Sequence, residues 1–145
     1  MSDDAARVSP EFRLAINVSH DDIDELGHVS NLVYVRWVLD AAKGHSVAAG
    51  WPHQAYVKLG AVFVVHKHVL DYLASAFVGE RLEAITYVAR WSAATSERRT
   101  RIVRLSDGRD LVRSVTTWAF VAIDTGRPRR IAREVVDDFA RDRSS

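Results

Sequence analysis

The chain has 145 residues and contains no cysteine, only 3 prolines and only 7 glycines. The absence of cysteine excludes disulfide scaffolds, cysteine-ligated zinc or iron–sulfur sites and thiol nucleophiles, which leaves histidine, carboxylate, hydroxyl and backbone chemistry. Few glycines and prolines among 48% hydrophobic residues exclude a low-complexity or disordered chain. A chain of this length is expected to form one compact domain over residues 1–145.

The sequence also lacks a dominant charge and a long apolar run. Twenty Lys and Arg stand against nineteen Asp and Glu, so the formal net charge is +1 and gives no general argument for nucleic-acid binding. No stretch approaches the ~18 apolar residues of a membrane span, and Met1 to Asp4 are acidic, unlike a secretory signal. We therefore expect a cytoplasmic protein with no membrane span and no nucleic-acid partner.

The spacing of apolar residues predicts both helix and strand. Residues 1–10 form a polar, frayed leader that ends at Pro10, and an amphipathic helix begins at Asn31, after Ser30 as N-cap, and ends before Gly50. Residues 131–145 form a charged tail with a short, frayed helix. Predicted strands cover Phe12–Ser19, Tyr56–Tyr72, Arg81–Trp91, Glu97–Leu105 and Asp110–Ile123.

This order of elements indicates an α+β domain in which a long antiparallel sheet of about five strands wraps around one central helix. The Asp107-Gly108 dipeptide predicts a hairpin between the last two strands. The last strand is apolar on both faces, so we expect it to lie centrally and to be covered on both sides. Long strands curve around the helix and leave an outer face, which would be buried against another copy if it were apolar.

A segment without periodicity, His20–His28, carries several carboxylates just before the helix. Asp24 precedes Asn31, the first helical residue, by seven positions, so its carboxylate can face the N-terminal amides of the helix. Those amides carry a partial positive charge that suits a developing oxyanion, and Gly27 permits a tight turn between them. Asp24 is therefore the candidate catalytic carboxylate; the alternative is that these are solvated loop charges.

The histidines do not form a familiar metal-ligand pattern. His28 is expected to shape the loop or to contact a substrate, and no Gly-x-Ser-x-Gly elbow supports a hydroxyl nucleophile. His66 and His68 lie two apart on a predicted strand and so point to one face, where they pack across strands or contact an anionic ligand. We expect no metal and no cofactor.

Arginines cluster at Arg98–Arg104 on one strand and at Arg127–Arg133 after the last strand. These residues form either a solvated rim or guanidinium forks that bind phosphate at the mouth of a pocket. Tyr34, one helical turn past the candidate oxyanion donor, is either a core aromatic or a wall of the substrate pocket.

The segment Asp22–Trp37, DIDELGHVSNLVYVRW, resembles the D-x-D-x-x-G-H-V-N-N-x-x-Y-x-x-W/Y motif of hotdog-fold acyl-CoA thioesterases, in the 4-hydroxybenzoyl-CoA thioesterase branch. Val64–Leu73 with Gly79–Leu82 resembles that family's central strand and turn, and Thr117–Val121 its last strand. Ser30 stands where many relatives have Asn, and Glu80 where many have Asp. The resemblance extends over about residues 12–133.

The resemblance implies a hotdog domain that hydrolyses a small or medium acyl-CoA, with sites at the interfaces of a homodimer or homotetramer. It assigns catalysis to Asp24, as nucleophile or general base, and polarisation of the thioester carbonyl to the N–H of Asn31. The expected substrate contacts are Gly27, His28, Tyr34, Val64 and His66, and the expected CoA contacts are His68, Arg98 and Arg99. The alternatives are a non-catalytic acyl-CoA binding module and a hotdog dehydratase or acyl-carrier-protein thioesterase. The dehydratase would require a helix acid, for which Asp40 is the candidate.

Overall fold

The structure, a computed structural model, describes residues 7–141. Residues 1–6 of the predicted leader and 142–145 of the predicted tail lie outside the described residues. The elements in chain order are β1 (Phe12–Asn17), a 3-10 turn (His20–Asp22), α1 (Asn31–Ala48), α2 (His53–Leu59), β2 (Ala61–Tyr72), β3 (Arg81–Trp91), β4 (Thr95–Arg104), β5 (Asp110–Ala122) and α3 (Arg133–Ala140).

The strands form one antiparallel sheet in the order β1-β3-β4-β5-β2. This confirms the predicted five-stranded antiparallel sheet packed on a helix. The predicted hairpin between β4 and β5 is also present, closed by a bond from the Gly108 N–H to the Arg104 carbonyl at 2.8 Å. β5 lies inside the sheet, between β4 and β2, but β4 occupies the middle position. The edges are β1 and β2.

The long helix has the predicted bounds. The Ser30 hydroxyl accepts a hydrogen bond from the Leu32 N–H at 3.3 Å, which confirms it as the N-cap. The face of α1 that packs on the sheet includes Trp37, Val38 and Ala41, which are at most 5% exposed. The apolar spacing read from the sequence therefore identified the inner face correctly.

The predicted strand over Tyr56–Tyr72 is wrong at its start, because residues 53–59 form α2. Tyr56 is buried on this helix, and its hydroxyl lies 2.8 Å from Ser46 Oγ. The helix ends at Gly60, whose φ of 89° is in the left-handed region that favours glycine, and β2 starts at the next residue. A seven-residue helix is too short to show a clear period in the sequence.

Both predicted frayed ends are packed where the structure describes them. The Ser9 N–H donates to the Val88 carbonyl at 3.0 Å, and the Ser9 hydroxyl accepts from the Val88 N–H at 2.8 Å, which fixes residues near Pro10 to β3. In α3, Val135, Val136 and Phe139 are at most 3% exposed. The charged composition of the tail concealed this apolar stripe.

The space between α1 and the sheet contains two apolar clusters with polar groups between them. One cluster surrounds Trp37 near the start of α1, and the other surrounds Trp91 and Phe120 beneath α2 and α3. Thr86 Oγ1 and Thr100 Oγ1 lie 2.8 Å apart in the buried zone between the clusters. We call this zone the polar belt; it consists of His45, Thr86, Arg98, Thr100, Ser114 and Thr116, all at most 6% exposed.

The outer face of the sheet carries charged side chains among apolar ones such as Ile85 and Val115. Arg13 pairs with Glu83 at 2.8 Å, and Arg101 pairs with Asp110 at 3.1 Å. Burial of this face against another copy therefore stays a prediction. Exposed apolar side chains follow the edge strand β2 and include Val65 and Val69. Among residues 7–141, no helix is long and apolar enough to cross a membrane.

Candidate active site

The loop between β1 and α1 is held by a buried carboxylate, Asp22. Its Oδ2 accepts hydrogen bonds from the Ser19 N–H at 2.9 Å and the Ser19 hydroxyl at 3.2 Å. Its Oδ1 accepts from the Arg36 guanidinium at 3.0 Å, and its carbonyl accepts from the Ser30 N–H at 3.0 Å. Burial raises the pKa of Asp22, but these hydrogen bonds from Ser19 and Arg36 outweigh it and hold the pKa below its usual value.

Asp22 was not among the predicted site residues, although the sequence contained a signal for it. Ser19-x-x-Asp22 is a capping-box pattern, in which the side chain three residues after a serine returns to the backbone N–H of that serine. The pattern therefore indicated a local anchor. The ion pair with Arg36, on the second turn of α1, could not be inferred from that pattern, because it depends on how the loop folds back onto the helix.

Asp24 occupies a tight turn two residues further on. The Asp24 N–H donates to the His28 carbonyl at 2.9 Å, and the Gly27 N–H donates to the Asp24 carbonyl at 3.1 Å. Gly27 has a φ of 86°, and a Cβ there would meet no atom within 4 Å, so the turn requires glycine for its backbone conformation rather than for space. The Leu26 N–H donates to Asp24 Oδ1 at 2.9 Å. One carboxylate oxygen is thus held, while the other points toward His28.

The contact between Asp24 and His28 is long. His28 Nδ1 lies 3.7 Å from Asp24 Oδ2 and 3.2 Å from the Val29 carbonyl. The carbonyl can only accept, so this geometry favours a proton on Nδ1 shared mainly with Val29. Both side chains are about 30% exposed, at 30% for Asp24 and 29% for His28. The Asp24 side chain is therefore partly exposed, and no described residue donates a hydrogen bond to its Oδ2.

The amino end of α1 offers a free donor close in sequence to this turn. The first N–H groups of a helix have no acceptor within the helix. Here Leu32 donates to Ser30 Oγ and Val33 donates to the Ser30 carbonyl, whereas no described residue accepts from the N–H of Asn31. Asn31 is exposed, so this N–H is available to an oxygen outside the chain.

Tyr34 lies in the core of the single chain. It is 2% exposed, its hydroxyl accepts the Ala76 N–H at 2.9 Å, and its ring packs edge-on against Trp37. Burial raises the pKa of the Tyr34 phenol. These contacts correspond to the core interpretation of Tyr34 rather than to a pocket wall. The more exposed Tyr72 lies against it, with ring centroids 5.9 Å apart, and donates from its hydroxyl to the Asn31 carbonyl at 3.3 Å.

The predicted contact residues on β2 are separated by a bulge. Val65 pairs with Trp118 and Lys67 pairs with Thr117, so His66 is the extra residue, and it is exposed. His66 therefore lies outside the regular alternation of β2, and a shared face for His66 and His68 stays a prediction. His68 Nδ1 lies 2.8 Å from Thr116 Oγ1, and burial lowers the pKa of His68. Val64 is exposed on the edge strand.

The two predicted CoA-binding arginines do not act together, because neighbouring residues on a strand point to opposite faces. Arg99 is exposed on the outer face and pairs with Glu97 at 3.1 Å. Arg98 points toward α1 and is only 5% exposed, so it is not part of a solvated rim. Its Nη1 donates to His45 Nδ1 at 2.9 Å and to Thr86 Oγ1 at 3.1 Å.

A cavity of about 470 Å³ lies between the carboxyl-terminal half of α1, α2, α3 and the inner face of the sheet. Arg98 is part of its wall, together with aromatic side chains that include Trp91 and Trp118. None of residues 22–31 lines it. From Asn31 to Ser46 on the cavity wall the helix rises about 22 Å, so in one chain the Asp24 turn and the cavity lie at opposite ends of α1.

An antiparallel five-stranded sheet packed on a long helix defines the hotdog class of folds, and solved structures share it. A 1,4-dihydroxy-2-naphthoyl-CoA thioesterase from Synechocystis has a TM-score of 0.82 at 17% identity, over 92% of this chain and 100% of that chain. A hypothetical protein from Staphylococcus aureus in complex with CoA has a TM-score of 0.84 at 14% identity, over 91% and 83%. A Lactobacillus plantarum protein described as an oleoyl thioesterase has 0.86 at 17%, over 90% of this chain. This chain spans about half of that protein, 51%.

The family model of the thioesterase-like superfamily matches residues 18–139, which include the Asp22–Asn31 loop, α1 and the whole of β2 to β5. The chain belongs to this superfamily and is a hotdog-fold thioesterase-like protein. No protein with curated function matches it. At these identities the solved structures show the fold and do not identify the substrate.

Proposed function

We propose that this protein is an acyl-CoA thioesterase that hydrolyses a small or medium acyl-CoA to the free acid and CoA. The proposal is carried by two features of one short segment: a partly exposed carboxylate at Asp24 and an N–H at Asn31, the start of α1, that no described residue accepts. Asp24 supplies the reacting oxygen or the base, and the Asn31 N–H receives the negative charge that develops on the thioester oxygen.

Two routes use the same residues. In the first, Asp24 attacks the thioester carbon, the carbon–sulfur bond breaks, CoA leaves as the thiolate, and water hydrolyses the resulting anhydride. In the second, Asp24 takes a proton from a water molecule that attacks the same carbon, and the thiolate leaves directly. A thiolate leaves readily, so neither route needs an activated serine or cysteine. Trapping an acyl-Asp24 adduct by rapid quench and mass spectrometry would identify the first route.

Gly27 and His28 complete the proposed site. Gly27 gives the turn the backbone conformation that holds Asp24, and His28 lies beside the free Asp24 oxygen, within reach of a substrate atom at that position. The dehydratase alternative would use Asp40, which lies outside the Asp22–Asn31 loop and does not line the cavity.

We further propose that the working unit is a homodimer, or a homotetramer built from it, formed along β2. This strand is a sheet edge of twelve residues, and a long apolar edge is normally covered or paired. Antiparallel pairing of β2 with its copy about a two-fold axis runs the two α1 helices in opposite directions. The amino end of one α1 then lies beside the carboxyl-terminal half of the other, where the cavity is, so each site draws on two chains.

The contacts with the nucleotide part of CoA remain predictions. The predicted residues are His68, Arg98 and Arg99, and of these only Arg98 lines the cavity. The cytoplasmic location also remains a prediction.

The proposal is tested by replacing Asp24 with asparagine and alanine and measuring thiol release from acetyl- to palmitoyl-CoA, with benzoyl- and phenylacetyl-CoA. We expect kcat/KM to fall at least about a hundredfold, as for loss of a general base or nucleophile. Asp21→Asn is the matched control, since Asp21 is an exposed carboxylate of the same loop. Activity within about tenfold of the unmodified protein in both Asp24 variants would rule out this catalytic role. CoA binding without thiol release from any acyl-CoA would favour the non-catalytic binding module.

A further inference from the structure

The cavity beneath the carboxyl-terminal half of α1 combines an apolar wall with one buried cation. Its volume of about 470 Å³ is within the range of small-molecule sites. The exposed residues Lys43 and Val47 of α1 form part of its wall, so it opens at the surface there. Six aromatic side chains line it: Trp51, Tyr56, Phe63, Trp91, Trp118 and Phe139.

Arg98 has no counter-ion in this environment. No carboxylate of residues 7–141 lies within 4.0 Å of its guanidinium, which donates only from Nη1, to His45 and Thr86. Its Nε and Nη2 donors have no acceptor among these residues. The guanidinium carbon lies 5.9 Å from the Phe139 ring centroid. A cation–π contact at this distance is weak and does not offset the cost of burying the charge. A buried charge without a partner is costly, so its presence needs a reason.

The guanidinium remains protonated. Burial lowers the pKa of Arg98 to about 10, with a smaller opposing effect from Tyr56, and this value is still well above neutral pH. The charge is therefore present in the cavity wall under ordinary conditions. A guanidinium can only donate hydrogen bonds, so His45 Nδ1 is the acceptor in this contact and carries no proton.

The unused donors indicate the shape of the missing partner. Nε and one Nη form the edge of a guanidinium that a carboxylate bridges with two parallel hydrogen bonds. A group with acceptors only, a single negative charge and an apolar body matches this set. A polyphosphate does not, because one buried guanidinium cannot neutralise several charges.

We propose that this cavity binds an apolar group that carries a carboxylate, with the carboxylate paired to Arg98. In the proposed thioesterase, on which this part of the inference rests, the group is the acyl chain of a monothioester of a dicarboxylic acid. Its free carboxylate lies at the end remote from the thioester. A free carboxylic acid presents the same chemistry to Arg98, and the two sources are distinguished by separate measurements.

The first measurement uses free acids and does not depend on catalysis. Octanoate and octanamide have the same chain and differ in charge, and their binding is followed by the fluorescence of the tryptophans in the wall and by calorimetry. We expect octanoate to bind about ten- to a hundredfold more tightly than octanamide, as for a charged hydrogen-bonded pair. Equal affinities for the two ligands in the unmodified protein would overturn the proposal, whatever the variants do. Inorganic phosphate is not expected to compete.

The second measurement uses Arg98→Met, which replaces the buried charge by an apolar side chain of similar length. We expect the preference for octanoate over octanamide to disappear in this variant and to be retained in part in Arg98→Lys. Arg101→Met is the matched control, because Arg101 lies on the same strand but is exposed and pairs with Asp110. A preference that persists in a folded Arg98→Met protein would overturn the proposal. If Arg98→Met does not fold, the proposal is tested by the relative affinities for octanoate and octanamide, measured in the unmodified protein and in Arg98→Lys.

The third measurement compares adipoyl-CoA with hexanoyl-CoA, which have six-carbon acyl chains with and without a terminal carboxylate. We expect kcat/KM to favour adipoyl-CoA by at least about tenfold, and Arg98→Met to reverse the order. Hydrolysis of hexanoyl-CoA with rejection of adipoyl-CoA would overturn the acyl-chain assignment and leave the proposed function standing. Arg98-dependent binding of octanoate without hydrolysis of any thioester would support the cavity as a carboxylate site and contradict the proposed function.

Discussion

The Asp22 carboxylate accepts a hydrogen bond from the Arg36 guanidinium at 3.0 Å and thereby ties the loop that carries Asp24 to the second turn of α1. Asp22 is buried, with 8% of its side chain exposed, whereas Arg36 is 58% exposed. Together with the two hydrogen bonds from Ser19, this pair satisfies the carboxylate on both oxygens. Asp22 therefore holds the turn on which Asp24 lies, and we assign it a positioning role in the proposed site.

Replacing Asp22 with asparagine is expected to lower the free energy of unfolding at pH 7 by about 1–3 kcal/mol, because bonds to a charged group are lost. The folded-state pKa of Asp22 is lowered, so its stabilisation is present above the unfolded value of about 3.9 and is lost as pH falls through the folded pKa. The difference between the two proteins should therefore shrink in acid. Urea unfolding from pH 7 to pH 2 measures this, with Asp21→Asn as the control; a difference independent of pH would contradict it.

Gly27→Ala tests the backbone requirement of the Asp24 turn. A side chain at a φ of 86° costs about 1–2 kcal/mol, although a Cβ would meet no neighbouring atom. We expect Gly27→Ala to lose both stability and kcat/KM, since the turn shifts with Asp24. Gly27→Asn should lose less of each, because asparagine tolerates the left-handed region better. Thermal unfolding and thiol-release kinetics measure the two effects, and equal behaviour of the two variants would argue against a backbone cause.

Tyr34→Phe distinguishes a core residue from a pocket wall. The variant removes the acceptor of the buried Ala76 N–H, which we expect to cost about 1–3 kcal/mol of unfolding free energy. Tyr72→Phe should cost less, because the Tyr72 hydroxyl donates to the Asn31 carbonyl near solvent, where water can replace it. A raised KM with unchanged stability in Tyr34→Phe would instead support the pocket-wall interpretation.

Val69→Lys tests whether copies of the chain pair along β2. A lysine on an apolar strand edge opposes pairing with a second strand. Val69 is 45% exposed, and Val57 on α2 is 51% exposed, so Val57→Lys is a matched control. We expect analytical ultracentrifugation to show dissociation of the Val69→Lys protein, and thiol-release assays to show that it loses activity. Val57→Lys should change neither. An unmodified protein that sediments as a monomer with full activity would contradict the two-chain site.

Much of the fold was predictable because its signals are local. The N-cap at Ser30, the apolar face of α1 and the Asp107-Gly108 hairpin each depend on residues close together in the chain, and the structure confirms them. The errors occurred where local signals were weak or misleading. The short α2 helix has too few turns to show a period, and the bulge at His66 could not be read from the sequence.

The sequence by itself determined the chemistry offered by the loop: a carboxylate at Asp24, a glycine turn and a helix start at Asn31, in an order that no packing can change. Only the tertiary structure decided what Arg98 and Asp22 do. Alternation predicts that Arg98 and Arg99 face opposite sides of a strand, but it does not say which side α1 covers. That choice follows from strand order and register, which bring His45 and Thr86 to Arg98 from distant parts of the chain. Burial and ion pairing are properties of this packing, and they turn one arginine of a basic cluster into the cation of a cavity.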